Sequence, residues 1–307
     1  MEILVPGLVS DIKLWPHFTV LNISLFFQSF MEVQTMKQQS RIKHLRRTCA
    51  KHSKLSEGPI PKETLNHIYV NYKIKGLYCY VPKVACTNWK RVLMVLDDYS
   101  KPIEDITEWE AHENNGMTVL ASLPEEEQKA VLTNFTKFMV TREPFIRILS
   151  AYKNKFENSD EYDSKPHFQY YGKLIMANYR KKPSQTDIAT GRGVRWTEFA
   201  AYLTDPLQRD EFENHWQDMN RICSPCKIKY DYLAKLETIK EDAEFILRTF
   251  NVSHIVTFPK AHISHSTYSQ NQYNEYYDQL TIGTIKKLSD VYRLDYELFG
   301  YPKPTLF

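Results

Sequence analysis

Glycine is scarce in this sequence, with 9 residues among 307, which excludes collagen-like and glycine-rich repeat architectures. A large excess of either charge is also lacking, because 40 Lys and Arg against 37 Asp and Glu leave a formal net charge of +3. The overall charge therefore says little about partners, and a polyanion would have to bind a local basic cluster. With 42% hydrophobic and 25% charged residues, the chain is long enough for one large globular domain or two small ones.

Cysteines are few, and their odd number leaves one unpaired, or paired with another chain, in an oxidising compartment. Two of them form a CxxC motif without a second such pair or a HxxxH partner, whereas zinc requires about four ligands. We therefore expect no metal site, and a local disulfide between Cys223 and Cys226. The five cysteines are Cys49, Cys79, Cys86, Cys223 and Cys226.

Long apolar runs are almost absent. Residues 14–31 carry no Asp, Glu, Lys or Arg over 18 positions, which is at the short end for a membrane span. Basic residues that follow this stretch would leave the rest of the chain in the cytosol by the positive-inside rule. Glycosylation sequons at Asn22, Asn134 and Asn251 favour a lumenal protein instead, so the sequence physics leaves the membrane question open.

A basic segment precedes the globular part of the chain. Residues 36–54 contain seven Lys or Arg and no acid, and a breaker follows at residues 58–61. This run is typical of a solvated stem or linker, although a helical arm or a contact for an acidic polymer also fits. We therefore divide the chain into an N-terminal segment, residues 1–60, that holds the anchor candidate and the stem, and a globular domain, residues 61–307.

Two strand–loop–helix units begin the globular domain. Residues 76–81 predict a buried strand, and residues 88–96 predict a helix after it. Residues 138–141 predict a second strand, followed by a helix that starts at Pro144 and continues to Phe156. Such units indicate an α/β fold with a central, mainly parallel sheet flanked by helices. Ligands of these sheets bind at the carboxyl ends of the strands.

Both loops at these strand ends are suited to anions. The first runs from Pro82 to Asn88 and opens a helix, whose free N–H groups together with Lys83 can cradle a phosphate. Because this loop has no glycine, the GxxxxGK[ST] pattern is absent and Mg²⁺-assisted phosphate transfer is disfavoured. In the second loop, Arg142 and Ser150 can hold a separate phosphate. One nucleotide with phosphates at two positions would occupy both loops.

The stretches YCYVPKVACTNWKR and VTREPFIRILSAYKNKF resemble the 5′-phosphosulfate loop and the 3′-phosphate site of Golgi carbohydrate sulfotransferases. They are most similar to the family that holds chondroitin and dermatan 4-O-sulfotransferases, N-acetylgalactosamine 4-sulfotransferases and the HNK-1 sulfotransferase. The resemblance extends over residues 49–304 and includes further matching stretches at residues 213–216, 223–226, 230–238 and 294–299.

The resemblance implies a P-loop-like sulfotransferase fold with 3′-phosphoadenylyl sulfate as the donor and no metal. It makes Lys83 the cation that stabilises the leaving phosphate. Trp89, Phe145 and Ile148 are expected to pack in the core rather than to contact the ligand. The implied donor-binding runs, of which Phe145 and Ile148 are the core-facing members, are Pro82, Lys83, Val84, Ala85, Cys86, Thr87 and Asn88 in the first loop, and Arg142, Glu143, Pro144, Phe145, Ile146, Arg147, Ile148, Leu149 and Ser150 in the second.

Sulfate transfer also requires a general base with a pKa near neutrality, for which histidine is the natural side chain. His112 lies between the two donor loops, where related enzymes place their base, and it is the first candidate. His215, within the matching stretch at residues 213–216, is the second.

The expected reaction is sulfate transfer to O-4 of N-acetylgalactosamine in a chondroitin- or dermatan-type chain. Alternatives are a sulfotransferase for terminal N-acetylgalactosamine or glucuronic acid on glycoproteins, an inactive glycan-binding protein and, disfavoured, a kinase. The expected partner is an acidic glycan and not nucleic acid. The resemblance also implies a type II Golgi membrane protein with a lumenal catalytic domain. Either residues 14–31 anchor it, or the start of the coding sequence is misplaced.

Overall fold

A computed structural model of the chain describes residues 16–157, 162, 165–259 and 270–304. Five strands form one mixed sheet in the order β3-β1-β2-β4-β5. Strands β2, β4 and β5 run parallel, while β1 is antiparallel to both β2 and β3. The α/β fold with a parallel centre is thus confirmed. The strands are β1 (Ile68–Asn71), β2 (Gly76–Cys79), β3 (Thr118–Val119), β4 (Thr136–Thr141) and β5 (Tyr232–Lys235).

Helices pack around this sheet, and the longest of them comes first in the chain. The described helices are α1 (Pro16–Lys51), α2 (Lys62–Asn66), α3 (Cys86–Leu96), α4 (Glu108–Glu113), α5 (Glu125–Asn134), α6 (Pro144–Tyr152), α7 (Pro166–Tyr179), α8 (Gln185–Thr190), α9 (Trp196–Leu203), α10 (Met219–Cys223), α11 (Ile239–Thr249), α12 (Gln270–Tyr277), α13 (Ile282–Val291) and α14 (Arg293–Phe299).

Both predicted strand–loop–helix units are present, with shifted boundaries. Strand β2 ends two residues earlier than predicted, and helix α3 begins two residues earlier. Helix α6 starts at Pro144 as predicted but ends at Tyr152, and the chain continues as a π-helical turn over Lys153–Glu157. These shifts leave a short loop between β2 and α3, at the carboxyl end of the parallel strands.

The core consists of two main clusters rich in aromatic side chains. One surrounds the sheet and contains Tyr78, Trp89 and Phe138, which contact one another. The other lies beneath helix α6, where Phe145 stacks on Tyr277. Burial of large aromatic rings supplies much of the hydrophobic stabilisation of such a core. The two clusters hold the ends of β2 and β4, and therefore the two loops, in fixed positions.

Helix α1 covers the open edge of strand β5. One face of the helix is buried, including Gln38, Ile42 and Leu45. The Gln38 side-chain oxygen accepts a hydrogen bond from the Leu233 backbone N–H at 2.9 Å, and Arg41 donates to the Leu233 carbonyl oxygen at 2.9 Å. These side chains satisfy edge groups that a further strand would otherwise bind. The helical-arm interpretation is therefore confirmed for residues 36–51, where helix α1 packs against the sheet, and the solvated-linker interpretation is wrong there.

We predict that Arg41→Ala destabilises the fold. Arg41 pairs at 2.7 Å with Asp242, whose side chain is fully buried, and the substitution would leave that carboxylate without its charge partner. Removing one partner of a buried pair costs about 3 kcal/mol or more. Urea unfolding should show this loss, whereas Arg46→Ala, at an exposed position on the same helix, should change stability by less than about 0.5 kcal/mol. Equal stability of the two variants would contradict the role of helix α1.

The expected local disulfide between Cys223 and Cys226 is wrong. Cys223 pairs with Cys79 in strand β2, and Cys226 pairs with Cys49 in helix α1, across 144 and 177 residues of sequence. The fifth cysteine, Cys86, is a buried free thiol. The CxxC turn lies between two distant elements and bonds to each, and such long closed loops strongly restrict the unfolded chain.

The anchor candidate at residues 14–31 lies partly outside the described residues, since the description begins at Pro16. Its remaining part belongs to the first half of helix α1. Among the residues that the structure describes, no helix has both the length and the apolar composition that crossing a membrane requires. The division of the chain between residues 60 and 61 stays a prediction.

Candidate active site

The first loop carries backbone strain and an open helix N-terminus. Lys83 and Ala85 adopt the left-handed conformation, with φ of 71° and 67°, which is uncommon for residues other than glycine. Such strain persists where the surroundings enforce it and clusters at functional sites. Helix α3 then begins with no side chain capping its first turn. Its N–H groups are therefore suited to an anion, although the loop has no glycine.

The second loop contacts the first directly. Arg142 is 3% exposed and donates a hydrogen bond to the Lys83 carbonyl oxygen at 3.1 Å. Arg147 donates from Nε to the Pro82 carbonyl oxygen at 3.0 Å. Because β2 and β4 are parallel neighbours, their carboxyl ends meet, and the predicted adjacency of the two loops is confirmed. The binding role of each residue stays a prediction.

Arg147 is buried and donates to three backbone carbonyl oxygens, which belong to two segments of the chain. Besides Pro82, it donates to the carbonyl oxygens of Asn214 at 2.7 Å and Gln217 at 2.6 Å. Burial lowers the pKa of its guanidinium, and the nearby Asp295 opposes that shift. The guanidinium thus fixes the segment around His215 against the first loop.

Some of the other residues in the predicted donor-binding runs are buried, and others are partly exposed. Glu143 caps helix α6 by accepting from the Ile146 N–H at 2.6 Å. In the first loop, Asn88 accepts from Arg91 at 3.4 Å. Core packing was expected for Trp89, Phe145 and Ile148, and it is confirmed. The residues buried in or beside the core are Val84, Cys86, Trp89, Pro144, Phe145, Ile148, Leu149 and Ser150, whereas Ala85, Thr87, Asn88 and Ile146 are partly exposed.

Lys83 is the cation at the mouth of the first loop. It is partly buried, and its ammonium donates to Asn154 Oδ1 at 3.1 Å. Burial, followed by the positive charge of Lys155, lowers the pKa of Lys83 to about 8. The side chain therefore remains mostly protonated at neutral pH and can stabilise a developing negative charge.

His112 is bonded at both ring nitrogens. Nε2 lies 2.8 Å from Thr87 Oγ1 in the first loop, and Nδ1 lies 3.1 Å from the Lys90 ammonium. That ammonium also lies 4.4 Å above the Tyr80 ring. Since a charged ammonium only donates, Nδ1 accepts and the neutral ring carries its proton on Nε2. Burial and the charge of Lys90 lower the pKa of His112 to about 3. Because both ring nitrogens are already hydrogen-bonded, neither is open to a substrate proton in this arrangement.

His215 has a carboxylate partner and an open nitrogen. Nδ1 lies 2.8 Å from Glu213 Oε2, and the backbone N–H of His215 donates to the same oxygen at 2.7 Å. Nδ1 therefore carries the proton of the neutral ring, and Nε2 has no hydrogen-bond partner among the described residues. Burial lowers the pKa of His215 to about 4, although Glu213 acts in the opposite direction. Burial likewise disfavours the charged form of Glu213, but the neighbouring His215 keeps its pKa below the usual value.

Several residues of this site were missed by sequence reasoning. Lys90 and Glu213 contact the two histidines, while Asn154 and Lys155 lie beside Lys83. All four belong to stretches that carry the resemblance, which was the available signal. Their roles depend on long-range contacts, however, and the spacing of residues along the sequence does not reveal such contacts. In the described part of the chain, no group of three or more His, Cys, Asp or Glu could hold a metal ion.

Comparisons with known proteins agree with this geometry. A family described as "Sulfotransferase family" matches residues 66–302. Carbohydrate sulfotransferase 8 of Mus musculus is 34% identical over 271 residues, which cover 87% of this chain and 64% of that protein. Carbohydrate sulfotransferase 11 of Rattus norvegicus is 38% identical over 267 residues, 84% of this chain and 74% of that protein. Carbohydrate sulfotransferase 14 of Danio rerio is 36% identical over 273 residues, 87% and 72% respectively.

The chain thus spans somewhat less than two thirds of the first of these relatives. No solved structure matches it significantly. The family match covers both loops at the strand ends, both histidines and all five described strands. The chain therefore belongs to the sulfotransferase family.

Proposed function

We propose that this protein transfers sulfate from 3′-phosphoadenylyl sulfate to a sugar hydroxyl. The observation that carries the proposal is the contact of the two anion-binding loops, in which Arg142 bonds the Lys83 carbonyl oxygen at 3.1 Å. One donor molecule can therefore reach both loops at once. Membership of the sulfotransferase family, and relatives named carbohydrate sulfotransferases, support the same reaction class.

The residues at the two loops fit a nucleotide that carries negative charge at both ends. The uncapped start of helix α3 and the Lys83 ammonium suit the phosphosulfate. Arg142 and Ser150 suit the 3′-phosphate, because a guanidinium fork and a hydroxyl bind phosphate oxygens well. Loop strain at Lys83 and Ala85 pre-sets the first loop for this purpose.

In the proposed step, the sugar hydroxyl oxygen bonds to sulfur while the bond from sulfur to the 5′-phosphate oxygen breaks. The leaving group is 3′,5′-ADP, and Lys83 stabilises the charge that develops on it. We infer that His215 Nε2 takes the hydroxyl proton, since that nitrogen is open and Glu213 stabilises the resulting imidazolium. His112 instead orients Thr87 in the first loop.

For the acceptor we propose O-4 of N-acetylgalactosamine in a chondroitin- or dermatan-type chain. The motif resemblance supports it, while the relatives' names specify no sugar. Transfer of labelled sulfate to a panel of desulfated glycans, followed by disaccharide analysis, tests the proposal. Sulfation confined to terminal N-acetylgalactosamine or glucuronic acid would favour the alternative acceptors. Binding of donor and glycan without sulfate transfer would favour an inactive glycan-binding protein. Transfer of phosphate from ATP would favour a kinase.

We further propose that the catalytic domain works in the Golgi lumen of a type II membrane protein. Two long-range disulfides suit an oxidising compartment, and the sequon residues Asn134 and Asn251 are both exposed. Treatment of the secretory-pathway protein with an N-glycosidase should increase its gel mobility. No mobility change, together with free thiols at Cys79 and Cys223, would contradict lumenal maturation.

We predict a bell-shaped dependence of kcat/KM on pH. His215 accepts a proton only when neutral, so activity should fall as pH drops through its lowered pKa of about 4. Lys83 stabilises charge only when protonated, so activity should fall as pH rises through its lowered pKa of about 8. Steady-state kinetics at constant ionic strength would measure both limbs. Lys83→Arg stays charged and should remove the alkaline limb, and an unchanged limb in that variant would contradict the assignment.

A further inference from the structure

Lys155 lies near both ends of the proposed transfer path, since its charge acts on Lys83 and on His215. It belongs to the π-helical turn Lys153–Glu157, and its neighbour Asn154 accepts the hydrogen bond from the Lys83 ammonium at 3.1 Å. The Lys155 ammonium lies 4.5 Å above the Phe168 ring, and that ring packs nearly perpendicular to the His215 ring at a centroid distance of 5.3 Å. Lys155 is therefore linked to Lys83 through its neighbour Asn154 and to His215 through the Phe168 ring.

The side chain of Lys155 is largely buried, as the residue is 9% exposed. A π-helical turn such as this one, which continues the end of helix α6, is rare, and such turns occur often at functional sites. The charge of Lys155 also lowers the pKa values of Lys83, His112 and His215, after burial in each case. One buried cation therefore acts on all three residues predicted from sequence to be catalytic.

We propose that Lys155 is a second cation of the transfer site and binds the non-bridging oxygens of the sulfuryl group as it passes from donor to acceptor. This inference rests on the proposed function. In an in-line displacement, Lys83 faces the oxygen that leaves and the base faces the oxygen that attacks. A cation between them faces the sulfuryl group itself. Lys155 takes up no proton in this step, because the hydroxyl proton goes to His215. Lys155 only offsets the negative charge of the sulfuryl oxygens.

The test compares Lys155→Met with Lys153→Met in the full chain. Lys153 occupies the same π-helical turn, but it pairs with Glu157 at 3.6 Å and lies over the Tyr276 ring. For Lys155→Met we expect kcat to fall about 100-fold or more. Its affinity for 3′,5′-ADP, which lacks the sulfuryl group, should stay within about threefold by calorimetry. Lys153→Met should retain both values.

Lys155→Arg separates charge from packing, because arginine keeps the cation and methionine keeps the apolar stem. Higher activity of the arginine variant than of the methionine variant supports the proposal. Equal activity of Lys155→Met and wild type overturns the proposal, as does higher activity of Lys155→Met than of Lys155→Arg. The proposal is also overturned if both variants lose nucleotide affinity and melting temperature to the same extent. If the wild-type protein itself transfers no sulfate, the proposed function is wrong. That result differs from active wild-type protein with an unaffected Lys155→Met variant, which contradicts only the role of Lys155.

Discussion

Lys83→Ala should reduce sulfate transfer by about 100- to 1,000-fold, because it removes the cation that faces the leaving phosphate. Removing one preorganised electrostatic contact to a transition state typically costs about 3 to 4 kcal/mol. Here the ammonium is partly buried and held by Asn154, so water replaces it poorly. The measurement is kcat with labelled donor at saturating acceptor. The melting temperature should change little, since the side chain forms no ion pair among the described residues.

Two further variants make the result interpretable. Arg142→Ala should mainly weaken binding of 3′-phosphoadenosine nucleotides, because its predicted partner is the 3′-phosphate and not the reacting sulfur. Lys129→Ala removes an exposed lysine that pairs, among the described residues, with neighbouring glutamates on helix α5, and it should behave as wild type. Near-wild-type rates and donor affinity in both Lys83→Ala and Arg142→Ala would show that the two loops do not hold the donor.

His215→Ala should lower kcat by about 10² to 10⁴-fold while leaving donor binding nearly unchanged, as expected for the loss of a proton acceptor. Its Nε2 is open among the described residues, and Glu213 holds Nδ1 at 2.8 Å. The carboxylate offsets the positive charge that the ring acquires. Glu213→Gln should therefore also reduce kcat, by a smaller factor, because the amide still accepts the hydrogen bond but carries no charge.

The matched comparison is His112→Ala, assayed with saturating donor and desulfated chondroitin. Sequence position made His112 the first candidate, but its ring bonds both Thr87 and Lys90. Protonation would place a second positive charge beside Lys90. We therefore expect a loss of about tenfold, through disorder of the first loop. If His112→Ala abolishes turnover while His215→Ala leaves it intact, His112 is the base and the assignment to His215 is wrong.

The sequence alone determined the two strand–loop–helix units and, with the family resemblance, the donor loops. These features are local: a buried apolar strand, a lysine or arginine at its end, and a helix start such as Pro144 all follow one another along the chain. Local patterns fix local structure, and parallel strands bring their carboxyl ends to one edge. The adjacency of Lys83 and Arg142 could therefore be predicted across 59 residues of sequence.

Only the tertiary structure decided which distant segments meet. The disulfide partners of Cys223 and Cys226 lie more than 140 residues away, and the hydrogen bond of Gln38 to strand β5 joins residues 195 apart. The hydrogen bonds that distinguish His215 from His112, and the closeness of Lys155 to both Lys83 and His215, likewise depend on side-chain packing. Sequence spacing does not show which distant residues come into contact, because the packing of the core sets the distance between two such residues.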